Sequence, residues 1–293
     1  MSPRVRGPHA TGWQDPAALR PSGGKLVGMK YAISMPPFGQ LADPSFLVEA
    51  AVAAEEQGLA GLFLWDHVLR PETDPPEILD PWVVLGAQAL ATSRIRLGPM
   101  VTPLTRRRPI KLAREAITVD HLSAGRLILG LGLGVDTGGE LTRFGEVVDA
   151  RVRGDRLDEG VALLEAMWSG ERVNHHGGAY TADAVTVLPR PVQLPRIPLW
   201  FAARGGSGLR PVRRAARFDG LIPIEVDGDQ LSRLLDVVVA ERGSLEAFDT
   251  MVSANVPPEE AERRGATWSY RSMSTDSSPN DVLQLIARDP ADY

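Results

Sequence analysis

In this chain of 293 residues the groups whose type and spacing suit chemistry stand in a few short clusters. Asp66-His67 follows the apolar run Gly61-Leu62-Phe63-Leu64-Trp65. An imidazole titrates near neutral pH, so His67 suits general acid–base work, with Asp66 beside it as a second acid–base group or as a hydrogen-bond partner for a cofactor ring. A histidine next to a tryptophan equally suits a satisfied core position. Gly130, Gly132 and Gly134 alternate, leaving one face of a strand end without side chains; a flat ring or a closely packed barrel corner could use it. Val135 excludes the dinucleotide fingerprint there. Arg204-Gly205-Gly206-Ser207 leads into a helix near Pro211, so its N–H groups could converge on an anion with Arg204 adding a forked contact. An ordinary turn has the same composition. Arg106-Arg107-Arg108 offers charge to an anionic tail or simply to solvent.

Other chemistries are excluded. The chain has no cysteine, which removes thiolate metal sites and cysteine nucleophiles. His175-His176 are adjacent and lack a carboxylate cluster or an H-E-x-x-H spacing, so no metal centre is expected. No serine nucleophile elbow occurs.

Positioning these groups falls to short strands alternating with helices. The strands predicted from apolar runs are 31–35, 61–65, 95–101, 127–131, 198–203, 220–224, 250–254 and 266–270. Asp43-Pro44 and Asp80-Pro81 each pair an N-cap with proline at the first helical position. Further helices are expected after Pro109, over 155–168, near 211–217, 229–241 and 258–264, and over 281–288. Residues 171–198 read as a hairpin-like insertion turning at Gly177-Gly178. Eight such units suit an α/β fold, a single (β/α)8 TIM barrel of roughly 250 residues with the insertion hairpin after strand four and its helix. A doubly wound sheet would want a phosphate fingerprint at the first strand–helix turn, where Met35-Pro36-Pro37-Phe38-Gly39 stands instead.

The net charge of −5 gives no footprint for nucleic acid. No run approaches the ~18 apolar residues of a membrane span. Residues 1–28 lack the apolar stretch of a secretory signal and read as a disordered leader or a mis-assigned start, with Met29 opening a folded body over 29–293. A cytoplasmic location is expected. Lysine occurs only at 25, 30 and 111, against 29 arginines, so any phosphate must meet arginine or backbone N–H groups.

The blocks FLWDHV (63–68), RIRLGPMVTPLTRRRPIKLAREAITVDHLSAGRLILGLGLG (94–134) and PLWFAAR…RRAARFDGLIPI (198–224) resemble the luciferase-like monooxygenase family. The resemblance implies a barrel, usually dimeric, that binds reduced FMN or the deazaflavin coenzyme F420 across its carboxyl face. By it, Ala203, Arg204, Gly205 and Gly206 would hold the phosphate, helped by Ile224. Met100-Val101 would form the bulge behind the ring, often a non-proline cis peptide, with Gly132 and Gly134 on the ring's other side. Asp66 and His67 would be the catalytic pair. Two features depart from the deazaflavin sugar-phosphate dehydrogenases: Val135 replaces their carboxylate, and Leu69-Arg70-Pro71 lacks their tryptophan. The resemblance implies first a monooxygenase using reduced FMN and oxygen on a small molecule, with the FMN supplied by a separate reductase. Its alternatives are F420-dependent hydride transfer and a non-catalytic flavin-binding protein.

Overall fold

Apolar runs of four to six residues, too short for helices, form the parallel staves of a barrel, and capped amphipathic segments cover them. The computed structural model describes residues 28–70 and 76–289; apart from Gly28, the expected leader lies outside them. The elements are β1 (Lys30–Met35), α1 (Pro44–Glu56), β2 (Gly61–Leu64), α2 (Pro81–Ala91), β3 (Arg96–Pro99), β4 (Thr102–Pro103), α3 (Pro109–Leu122), β5 (Leu129–Gly132), α4 (Ala150–Trp168), β6 (Arg172–His176), β7 (Thr181–Thr186), β8 (Leu199–Arg204), α5 (Arg210–Ala215), β9 (Gly220–Ile224), α6 (Gly228–Arg242), β10 (Asp249–Ser253), α7 (Pro258–Arg263), β11 (Trp268–Ser272) and α8 (Pro279–Ile286).

The sheet order is β3-β2-β1-β11-β10-β9-β8-β5-β4. β3 and β4 are two halves of one stave, interrupted where the Met100–Val101 peptide is cis. The strand expected to run unbroken over 95–101 therefore ends at Pro99 and resumes at Thr102. The ring closes through this stave: Leu97 N–H donates to Arg126 O at 3.3 Å, Ile128 N–H donates to Leu97 O at 2.9 Å, and β4 pairs with β5. Closure needs glycine at 98, because a Cβ there would stand 1.9 Å from Ile128 O. Alternation along each stave divides the core in two. One set packs under the helices; the other, including Phe63, Trp200, Met251, Trp268 and Tyr270, plugs the barrel interior.

Asp43 and Asp80 cap α1 and α2 as their sequences predict. α4 begins at Ala150, five residues before the expected start, because Asp149 caps it by accepting from Val152 N–H at 2.8 Å. Its apolar spacing begins only at Leu157, so periodicity misses the first turn. β6 and β7 form the expected insertion hairpin, tied to α4 by Glu159, which takes His175 Nε2 at 2.9 Å and the N–H groups of Ala179 and Tyr180.

Glu55, at the end of α1, accepts the N–H groups of Ser93, Arg94 and Ile95 and so aims the chain into β3. Burial pushes its carboxyl up, but these N–H donors outweigh that and hold it down at about 2. A depressed pKa gives stability that is present above the ordinary carboxylate range and lost as pH falls towards about 2. Glu55→Gln is therefore expected to lose about 1–2 kcal/mol at neutral pH. In thermal melts the gap to the unmodified protein should narrow below about pH 4; a gap independent of pH would contradict this role.

Candidate active site

The carboxyl ends of β1, β2, β4 and β5 bring together groups that are far apart in the chain. Trp65 follows β2 and donates through Nε1 to Ser34 Oγ of β1 at 2.9 Å. Phe38, Trp65 and His67 then form an aromatic corner, with ring centroids 5.9–6.1 Å apart. His67 Nδ1 lies 2.9 Å from Glu140 Oε1, which also accepts the N–H groups of Val68 and Leu69. Burial pushes Glu140 up, yet the His67 ring, the Val68 N–H and the Arg106 guanidinium together keep it below the usual carboxylate range. An ionised carboxylate only accepts, so Nδ1 carries the hydrogen and the lone pair of the neutral ring sits on Nε2. Among the described residues no protein group bonds Nε2. The arrangement can take up or deliver a proton at that atom.

Asp66 is engaged differently from its neighbour. Its side chain has no exposure to solvent. Oδ1 accepts from Arg106 Nη2 at 2.9 Å and Arg107 Nη2 at 3.0 Å; Oδ2 accepts from Thr102 Oγ1 at 2.7 Å. Arg106 also donates to Asp66 O at 2.9 Å and to Glu140 Oε2 at 3.3 Å. Both Asp66 oxygens are thus spent on protein partners, and the acid–base role expected for it has no open atom to work through. Arg106 and Arg107 are not the solvated pair the sequence suggests; their side chains are 6% and 16% exposed. Glu140 was missed altogether in the sequence reading, because it lies in a 17-residue irregular connection (133–149) with no periodic signal.

The residues expected to hold a cofactor fall into three groups. Met100, Val101 and Ile224 are partly buried and pack against the cluster that plugs the barrel. Burial pushes the phenol of Tyr270, a member of that cluster, up to about 12, so it adds no charge at neutral pH. Gly132 and Gly134 do not present the bare face expected of them. A Cβ on Gly132 would stand 2.7 Å from Val101 Cγ2, and one on Gly134 2.9 Å from Pro103 Cβ, so both make room for the bulged stave. Ala203 packs under the helices, leaving only its backbone for a ligand. Arg204 extends β8 and forks onto Glu225 at 2.7–2.8 Å, both side chains being more than half exposed.

The loop after β8 does suit an anion. Gly206 and Gly208 have φ of +80° and +81°, with nothing within 4 Å of where a Cβ would stand. Gly205 N–H is used by Ile224 O and Ser207 N–H by Arg204 O, while those of Gly206 and Gly208 donate to no described protein group. Among the described residues, no group of three or more histidine and acidic side chains could hold a metal ion, and no helix is long and apolar enough to cross a membrane.

Comparison with known proteins agrees with the barrel fold. A family model described as luciferase-like monooxygenase matches residues 27–279. An F420-dependent glucose-6-phosphate dehydrogenase of Nakamurella multipartita is 33% identical over 236 residues, 77% of this chain and 66% of the relative. The chain spans 66%, 54% and 55% of the lengths of three such relatives. Two solved structures share the fold. An F420-dependent secondary alcohol dehydrogenase, solved with an F420–acetone adduct, has a TM-score of 0.73 at 16% identity, covering 90% of this chain and 99% of its own. The monooxygenase RslO1 from Streptomyces bottropensis has a TM-score of 0.68 at 21% identity, covering 88% and 96%.

Asp66→Asn tests the ionic cluster. An amide in place of the carboxylate leaves Arg106 with only Glu140 at 3.3 Å and Arg107 with only Glu115 at 3.6 Å for two buried guanidinium charges, and removing one partner of a buried pair costs about 3–5 kcal/mol. Denaturant unfolding should show a loss of that size; a loss under about 1 kcal/mol would mean the cluster is not a structural element.

Proposed function

Because the chain belongs to the luciferase-like monooxygenase family, we propose that it is an oxidoreductase that uses coenzyme F420 to move a hydride to or from a small organic substrate. The relatives at one-third identity named for F420 support this cofactor over the FMN suggested first by the sequence. The observation that carries the chemistry is the His67–Glu140 contact of 2.9 Å with Nε2 left open. When bound, the deazaflavin supplies the hydride donor or acceptor. Met100, Val101 and Ile224 would support its ring, and the free N–H groups of Gly206 and Gly208, with Arg204 at the loop's start, would hold its phosphate.

His67 Nε2 takes the proton of a substrate hydroxyl on oxidation and returns it on reduction. Glu140, kept ionised, holds the ring in the right tautomer and bears the imidazolium charge that results. Asp66 is a positioning residue: through Arg106 it holds Glu140 in place. The relatives' sugar-phosphate specificity is not carried over, since Val135 stands where those enzymes have a carboxylate.

Fluorescence titration with F420 and with FMN tests the cofactor. F420 should bind with Kd in the micromolar range (on the order of typical enzyme ligands). Tight binding of FMN alone would restore the oxygen-dependent reading with its separate reductase, and binding of neither would sink both. Once a substrate is found, His67→Ala should lower kcat by about 10²–10⁴-fold with F420 affinity little changed. A bound cofactor with no turnover on any alcohol or carbonyl would favour the non-catalytic alternative.

The homodimer expected from the family is proposed to form through α2. Val83 and Leu90 are 75% and 71% exposed and lie seven residues apart on one helix face. Light scattering should give twice the monomer mass, and Leu90→Arg should shift it to the monomer. A monomeric unmodified protein would end this proposal.

A further inference from the structure

A cavity of about 380 Å³ opens where the start of α4 faces the start of α5, lined by Leu133, Arg151, Gly154, Ser207, Arg210 and Arg214 among others. Its charge is unbalanced. Arg210 donates to Asp155 at 2.7 Å and to Asp158 at 2.8 Å, and Arg214 and Arg217 converge on the same Asp158. Two aspartates thus serve three arginines, and Arg151 has no ionic or hydrogen-bonding partner among the described residues. With Arg151 the cluster carries a net charge of +2.

Arg151 also breaks a local rule. It is the second residue of α4, whose first turn contains no acidic side chain. The positive end of the helix dipole disfavours a cation there, and the carboxylate at that end, the N-cap Asp149, is engaged by Val152 N–H and makes no ion pair with Arg151. Such a conflict is expected where a ligand supplies the missing anion. Ser207 connects the cavity to the glycine loop whose free N–H groups suit a phosphate, so an anion-bearing molecule held at Gly206 and Gly208 would continue directly into it.

The two candidate cofactors differ at this point. FMN ends at its phosphate, whereas coenzyme F420 runs on through a phosphodiester into a chain of carboxylates. We propose that the cavity binds the carboxylate tail of F420, with Arg151 as its principal contact and Arg210 beside it. The inference rests on the F420 reading above, and goes beyond it by assigning a second anion site that FMN cannot reach.

The test compares F420 bearing several glutamates with the form lacking them, by fluorescence binding to the unmodified protein, Arg151→Glu and Arg151→Lys. The unmodified protein should bind the tailed form about 10-fold more tightly, with the advantage shrinking as salt rises. Arg151→Glu should abolish that advantage without changing affinity for the tail-less form, and Arg151→Lys should keep most of it. Arg151 is exposed, so unchanged melting temperatures are expected for both variants. Equal binding of the two forms, or equal weakening of both by Arg151→Glu, overturns the tail site and leaves the cofactor reading standing. Binding of FMN with no binding of either F420 form overturns both.

Discussion

Two guanidinium groups with little access to water hold the mouth of this barrel in register. Arg106 and Arg107 face the buried carboxylates of Asp66 and Glu140. Removing such charges from water costs several kcal/mol per ion, and their attraction does little more than offset it. The return is positional. Asp66 belongs to the loop after β2, the arginines to the turn after β4, and Glu140 to the long connection after β5. One cluster therefore ties together three connections that hold, among the described residues, at most a single 3-10 turn each, and His67 is oriented through Glu140, a member of that cluster. Arg107 Nε remains buried without a partner, so the satisfaction is not complete.

The interrupted third stave works with this cluster. Thr102, just past the cis peptide, gives its hydroxyl to Asp66 and receives Trp82 Nε1 at 3.1 Å, linking the ionic cluster to α2. Val101, just before, fills the space that a side chain at 132 would need. The glycines at the end of β5 are thus a packing requirement of the bulge, and under the proposed function it is Met100 and Val101 that would meet the cofactor ring.

Much of the fold was legible in the sequence because its signals are local. Asp-Pro capping pairs, short apolar runs and Gly177-Gly178 each specify an element within a few residues. The family blocks placed Met100-Val101 and the loop after β8. The candidate site was legible only in part, because its decisive contact joins His67 to a residue 73 positions away. Nothing in the composition of 133–149 marks Glu140 above Asp136 or Glu146. Arg106 and Arg107 looked solvated because their partners come from other loops. Counting alternate positions from Trp200, which plugs the barrel, puts the Ala203 side chain beneath the helices, so only its backbone could serve the phosphate role that the family blocks imply.

Charge accounting also bears on the proposed function, in which the relatives' cofactor is taken over without their substrate. Lys30 sits at the amino end of β1 and pairs with Asp249, and Lys111 is exposed on α3, paired with Glu115. Arg106 and Arg107 are committed to Asp66, and Arg70 lies over the Phe38 ring at 5.6 Å. Arg204 and Glu225 form an exposed pair, worth little and easily opened, but they adjoin the glycine loop suited to a cofactor phosphate. Under that reading a phosphorylated substrate would have to compete for that same loop, pull a buried arginine from its carboxylate against several kcal/mol, or take Arg151 from the cofactor's tail. Under the proposed function an uncharged substrate would meet none of these obstacles: the aromatic corner of Phe38 and Trp65 offers apolar surface, and the open Nε2 of His67 would offer the polar contact that a reacting hydroxyl requires.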